Sequence, residues 1–180
     1  MGLSSSRIYL DSCIAIYVVE RHPVYSASIE ALMQATAATF CYSPLVRLEC
    51  LVKPYRINNA ALIALFGDFW AAHEPVELPA PVFEVAARLR ACHSGLKTPG
   101  AIHFAAAIHH GCAEKWTNDN RLNVVAPRLA RKVIPWDAPP IGSGTRLIRS
   151  ALSLPPFLSR GRCILPSGDS SPAVRIERGS

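Results

Sequence analysis

Short apolar runs alternate with stretches of helical period over the first 137 residues. The run at 7–10 reads as a strand ending at Asp11, and a helical stretch at 13–20 follows it until Pro23. A second helix is predicted at 24–37, and the β-branched and aromatic residues at 39–42 read as a second strand. Ser43 followed by Pro44 is a helix-start signal, predicting a helix from Pro44 to about residue 52 that stops before Pro54. Glu49 lies inside it, among Leu45, Leu48, Leu51 and Val52, which suggests a well-buried helix.

The alternation continues with a helix at about 58–72, a strand at 75–78 and a helix opened by Pro81 that ends near Ser94 and Gly95. Thr98 and Pro99 repeat the cap-then-proline signal for a helix that stops at Gly111, and strands are expected at 113–116 and 132–136. Strands alternating with helices imply an α/β fold with a parallel sheet covered on both faces. Ligands of such sheets gather at the carboxyl ends of the strands. Asp11 and Asp119, each following a strand, are therefore expected to face one crevice.

Composition changes after residue 137. Six prolines, with many Ser, Gly and Arg and no sustained period, make 138–180 read as a largely disordered tail with one short apolar piece at 147–154. Much of the chain's net charge of +6 sits there: 6 Lys and Arg against 2 Asp and Glu, compared with 13 against 11 in residues 1–137. A basic chain suits nucleic acid through phosphate neutralisation, although a charge this small does not single out that partner. With 50% hydrophobic and 18% charged residues the composition is globular. No apolar run reaches the roughly 18 residues of a membrane span, and the opening residues lack a signal-peptide core, so a soluble, cytoplasmic protein is expected. The six cysteines show no C-x-x-C spacing and read as reduced core residues, with no zinc site.

Taken singly, Asp11, Glu49 and Asp119 read as helix caps or exposed groups. Carboxylates converging in a low-dielectric crevice repel one another, and a hard divalent cation such as Mg²⁺ or Mn²⁺ relieves that repulsion. Such an ion can activate a water and offset charge on a scissile phosphate. Four motifs stand in order: I-Y-L-D-S at Asp11, S-P-L-V-R-L-E-C-L-V-K-P around Glu49, L-K-T-P-G-A-I-H-F-A-A-A from Leu96, and W-T-N-D-N-R-L from Trp116. Together they resemble the PIN domain, especially its VapC-like toxins, over about 130 residues.

The resemblance implies a three-layer sandwich with a parallel five-stranded sheet of order 3-2-1-4-5, metal-dependent cleavage of RNA, a homodimer and a VapB-like antitoxin partner. It places Asp11, Glu49 and Asp119 on family acids, with Thr117 and Asn118 on the polar shoulder of the last motif. One position departs: Gly100 stands where the family usually has Asp, at the second residue of a helix, where a carboxylate would be favoured by the helix end. The expectation is a metal centre weakened by that loss, and activity attenuated with it. The competing reading is a catalytically inactive PIN module that still dimerises and binds an antitoxin. A phosphoacceptor receiver is disfavoured, because Leu10 and Ser12 flank Asp11 where a second acid is needed.

Other charged residues carry less. His103, the family's usual packed histidine near the site, and His109 and His110 read as core or surface residues rather than as a base. Arg47, Lys53, Arg56, Arg88, Arg90 and Lys97 are candidates for an RNA path, with Lys53 and Arg56 the preferred phosphate contacts.

Overall fold

The computed structural model describes residues 6–119 and 130–132, all within one unit that spans Met1–Ser143. The expected tail at 138–180, its apolar piece at 147–154 and residues 133–136 lie outside them. The elements run β1 (Ser6–Leu10), α1 (Ser12–Val19), α2 (Ser26–Ala35), β2 (Ala38–Tyr42), α3 (Pro44–Arg56), α4 (Ala60–Ala71), β3 (Glu74–Pro75), α5 (Ala80–Cys92), α6 (Thr98–His109), β4 (Glu114–Thr117) and β5 (Ala130–Lys132). The strands form one five-stranded sheet of order β3-β2-β1-β4-β5, and every pairing is parallel. This is the α/β architecture expected from the alternation.

β1 is the central strand, and Ile8, Tyr9 and Leu10 are all buried on it. A strand covered by helices on both faces reads as such a continuous apolar run. Trp116 and Phe66 are completely buried, and Phe104 and Ala105 to Ala107 bury α6 against the sheet. Cys41, Cys50 and Cys112 are buried free thiols and Cys13 a half-buried one, as expected of core cysteines. Cys92 departs from that reading on both counts, since it lies exposed at the end of α5 and is disulfide-bonded. Among the described residues no helix is long and apolar enough to cross a membrane.

Three local expectations are corrected. First, α3 does not stop before Pro54 but carries it inside the helix. Proline gives up one backbone hydrogen bond there, and in return it completes a buried row at i, i+4 and i+8 with Val46 and Cys50. Second, that row, rather than the leucines around Glu49, is the buried face. Leu48 is 61% exposed and Val52 46%, so α3 is half open rather than well buried. Third, the residue capping α6 is Lys97, which makes Thr98 the first helical residue and Gly100 the third. Ser43 does occupy the cap position of α3 but makes no capping bond; its hydroxyl is bonded to Tyr9 instead.

Candidate metal centre and its crevice

The crevice opens at the carboxyl ends of β1 and β4. β1 ends at Leu10, and Asp11 is the cap of α1, its Oδ1 accepting the Ser12 N–H at 2.9 Å. The sheet continues one residue further, with the Asp11 N–H donating to the Trp116 carbonyl at 3.0 Å. On β4, residues 115 and 117 share a face because side chains alternate along a strand. Both point at Asp11: Lys115 Nζ donates to Oδ2, and Thr117 Oγ1 donates to the same oxygen at 2.7 Å. Thr117 Oγ1 also accepts the Asp119 N–H at 3.1 Å, which holds the loop after β4 in place.

From the other side, α3 brings Glu49 and α6 brings His103. His103 Nε2 lies 3.1 Å from Glu49 Oε2 and 3.7 Å from Asp11 Oδ1. A carboxylate only accepts, so Nε2 carries its hydrogen toward Glu49. Behind it, His103 Nδ1 is bonded to the Tyr9 hydroxyl at 2.9 Å, and Tyr9 to Ser43 Oγ at 2.6 Å. The network thus runs from Ser43 through Tyr9 and His103 to Glu49, buried except at its acidic end.

Burial of the Asp11 carboxyl raises its pKa, but Lys115 and His103 nearby, with the hydrogen bonds from Lys115 and Thr117, outweigh burial and hold it at about 2. Burial acts upward on Glu49 too, and the hydrogen bonds from His103 and Ser12 bring it below its ordinary value. The Cys13 thiol, beside Asp11, is pushed up to about 12 by burial first and that carboxylate second. The centre therefore presents ionised carboxylates and a neutral thiol at ordinary pH.

Asp11, Glu49 and His103 each offer one ligand atom, all within 4.8 Å of one another. The two carboxylates fit a divalent cation in chemistry, and the imidazole, whose Nε2 hydrogen is directed at Glu49, orients one of them. The cavity in front of them measures about 640 Å³ and is also lined by Asn118, Asp119 and Gly100. Asp119, placed by the sequence with the other acids, shares the cavity but not the 4.8 Å cluster. Gly100 also borders the cavity. Lys53 and Arg56 do not line it: Lys53 pairs with Glu20 at 2.5 Å, and Arg56 is exposed in the last turn of α3. Lys97 does line it.

Two participants stand out beyond the expected acids. His103 is buried as expected of a core residue, yet it bonds directly to Glu49. Lys115 was not among the sequence candidates, although a charged residue inside a strand expected to be covered on both faces was a signal of it.

The PIN domain family model matches residues 8–127, and the chain belongs to the PIN domain family. No curated protein gives a significant match in sequence. Among solved structures, the chain is similar in fold to VapBC2 from Rickettsia felis bound to a DNA fragment from its promoter, with TM-score 0.58 and 17% identity, covering 69% of this chain and 97% of that one. It is similar also to DNA-bound VapBC from Salmonella typhimurium, with TM-score 0.60 and 13% identity over 72% and 99% of the two chains. A third is the Mycobacterium tuberculosis toxin VapC20, described as cleaving the sarcin-ricin loop, with TM-score 0.57 and 13% identity over 65% and 93%.

Proposed function

We propose that this chain is a ribonuclease of the VapC toxin type, dependent on Mg²⁺ or Mn²⁺ and attenuated by the absence of an acid at Gly100. The observation that carries the reading is the convergence of Asp11, Glu49 and His103 within 4.8 Å at the strand ends of a PIN domain, in a crevice open to a large ligand. Asp11 and Glu49 would hold the ion, with Asp119 also lining the cavity. When bound, the ion supplies an acidified water and offsets the charge developing on the phosphate.

The remaining work falls to the chain itself. Thr117 fixes the Asp11 carboxylate from behind, and the Tyr9–His103 pair fixes Glu49, so neither acid has to reorganise when substrate arrives. Lys97, on the cavity wall, is better placed than Lys53 or Arg56 to contact a phosphate. Residues 138–180 add nonspecific affinity for RNA. The partner in the cell is an antitoxin of the VapB kind, and the chain acts in the cytoplasm as a homodimer.

A second reading, an inactive PIN module that retains antitoxin binding, is favoured by Gly100 itself. Metal-dependent cleavage of a mixed RNA pool by the natural chain, Gly100→Asp and Asp11→Ala separates the two. Cleavage by the natural chain that Gly100→Asp accelerates and Asp11→Ala abolishes is the expected result. Cleavage by Gly100→Asp alone favours the inactive module, and no cleavage by any of the three removes the nuclease reading.

A further inference from the structure

Lys115 is fully buried on a strand next to the centre of the sheet, where an apolar side chain would ordinarily sit. Its ammonium has two neighbours that account for its charge: Asp11 Oδ2, to which it donates, and the face of Phe104, whose centroid is 5.3 Å away. A carboxylate oxygen offers two lone-pair directions. On Oδ2 both are taken, by Lys115 and by Thr117 at 2.7 Å. On Oδ1 the Ser12 N–H takes one at 2.9 Å, which leaves a single open direction toward the cluster.

We propose that Lys115 is a built-in counter-cation of this centre, supplying to Asp11 the positive charge that a divalent ion would otherwise supply and thereby keeping the crevice in a metal-poor state. The inference rests on reading the crevice as a metal centre. Lys115 neutralises the carboxylate that would attract the ion. It also repels the ion through a buried, weakly screened path. Gly100, which lines the cavity, acts in the same direction, because on the proposed reading the site lacks an acid there while Lys115 adds a cation beside Asp11.

The test is calorimetric titration of Mn²⁺ into the purified full chain, its Gly100→Asp variant, and two Lys115 variants, with thermal unfolding measured with and without the metal. Lys115→Met keeps the length and apolar stem of the side chain. Lys115→Gln keeps a hydrogen-bond donor for Asp11 without the charge, and serves if the methionine variant does not fold. Both are expected to bind Mn²⁺ at least about tenfold more tightly than the natural chain, because a like charge close to the ion is gone. Both should also gain more in Tm from the metal than the natural chain does. If Gly100→Asp gains affinity and neither Lys115 variant does, the crevice is a metal centre and Lys115 only a structural partner of Asp11, which overturns the inference alone. If no variant binds Mn²⁺, Gly100→Asp included, the metal-centre reading falls and this inference with it.

Discussion

Lys115, Thr117, Ser12 and His103 converge on the Asp11 carboxylate, and that convergence has a measurable pH signature. The Asp11 pKa is about 2 in the folded chain against an ordinary value of 3.8. A carboxyl whose folded pKa is depressed contributes stability above its unfolded value, and that contribution disappears as pH falls through the folded value. Stability should therefore decline from about pH 4 down to about pH 2, by roughly 2 kcal/mol from this one group. Urea unfolding at a series of pH values checks it. Asp11→Asn should flatten the decline in that window and lower stability near neutral pH, since it leaves the Lys115 ammonium buried without its anion. A decline of the same steepness in Asp11→Asn would show that other carboxyls are responsible. The apolar pattern located Asp11 and Asp119 after strands and Glu49 on a helix, and only the four motifs in order pointed to their acting together. The roles of Lys115 and His103 were not legible in the sequence. Both depend on which side chains the sheet and α6 set opposite them, and no local spacing encodes that.

Three helices of this fold end in the same way. After α1, α3 and α6 the chain passes through a residue with positive φ: Arg21 at 50°, Asn58 at 50° and Gly111 at 63°. In each case the next N–H reaches back to close the turn, from His22 to Tyr17, from Asn59 to Pro54 and from Cys112 to Ala107, at 2.9, 3.0 and 2.9 Å. This is the Schellman ending, which favours glycine and tolerates asparagine at its left-handed residue. Arginine there bears the steric cost of a left-handed backbone, about 1 kcal/mol. Arg21→Gly is therefore expected to stabilise the fold by about 0.5–1 kcal/mol. Gly111→Ala should destabilise it by about 1 kcal/mol, through backbone strain alone, because an added Cβ at Gly111 meets nothing within 4 Å. Chemical unfolding of both variants decides; an equal loss in both would mean that side-chain contacts of Arg21 outweigh its backbone cost. Only the glycine of the three was readable beforehand as a helix stop. Pro54 misled in the opposite sense, because a proline's preference to end a helix gave way to the burial of its ring beside Val46 and Cys50.

For the whole chain the alternation of strands and helices was enough to predict the sheet, since parallel strands buried on both faces and helices of clear period leave few other arrangements. Charge distribution was equally plain, and it separates two contributions to the proposed RNA binding. Residues 1–137 carry 13 Lys and Arg against 11 Asp and Glu, while 138–180 carry 6 against 2. In residues 1–137 the 11 acids nearly offset the cations, with Lys53 and Arg7 paired with Glu20 and Glu74 and Lys115 taken by Asp11, whereas the six arginines of 138–180 face only two acids. The arginines beyond residue 137 should therefore carry most of the salt-dependent, sequence-independent affinity. Each phosphate neutralised on single-stranded nucleic acid contributes about 0.7 to the slope of log affinity against log salt, so six arginines contribute up to about 4. Truncation after residue 137 should flatten that slope in an anisotropy titration with a labelled RNA and weaken binding most at low salt. It should leave the rate of any metal-dependent cleavage at saturating RNA unchanged, because the acids lie in residues 11–119. A slope unaltered by truncation would move the electrostatic footprint back to residues 1–137, with Lys97 on the cavity wall as the first residue to replace.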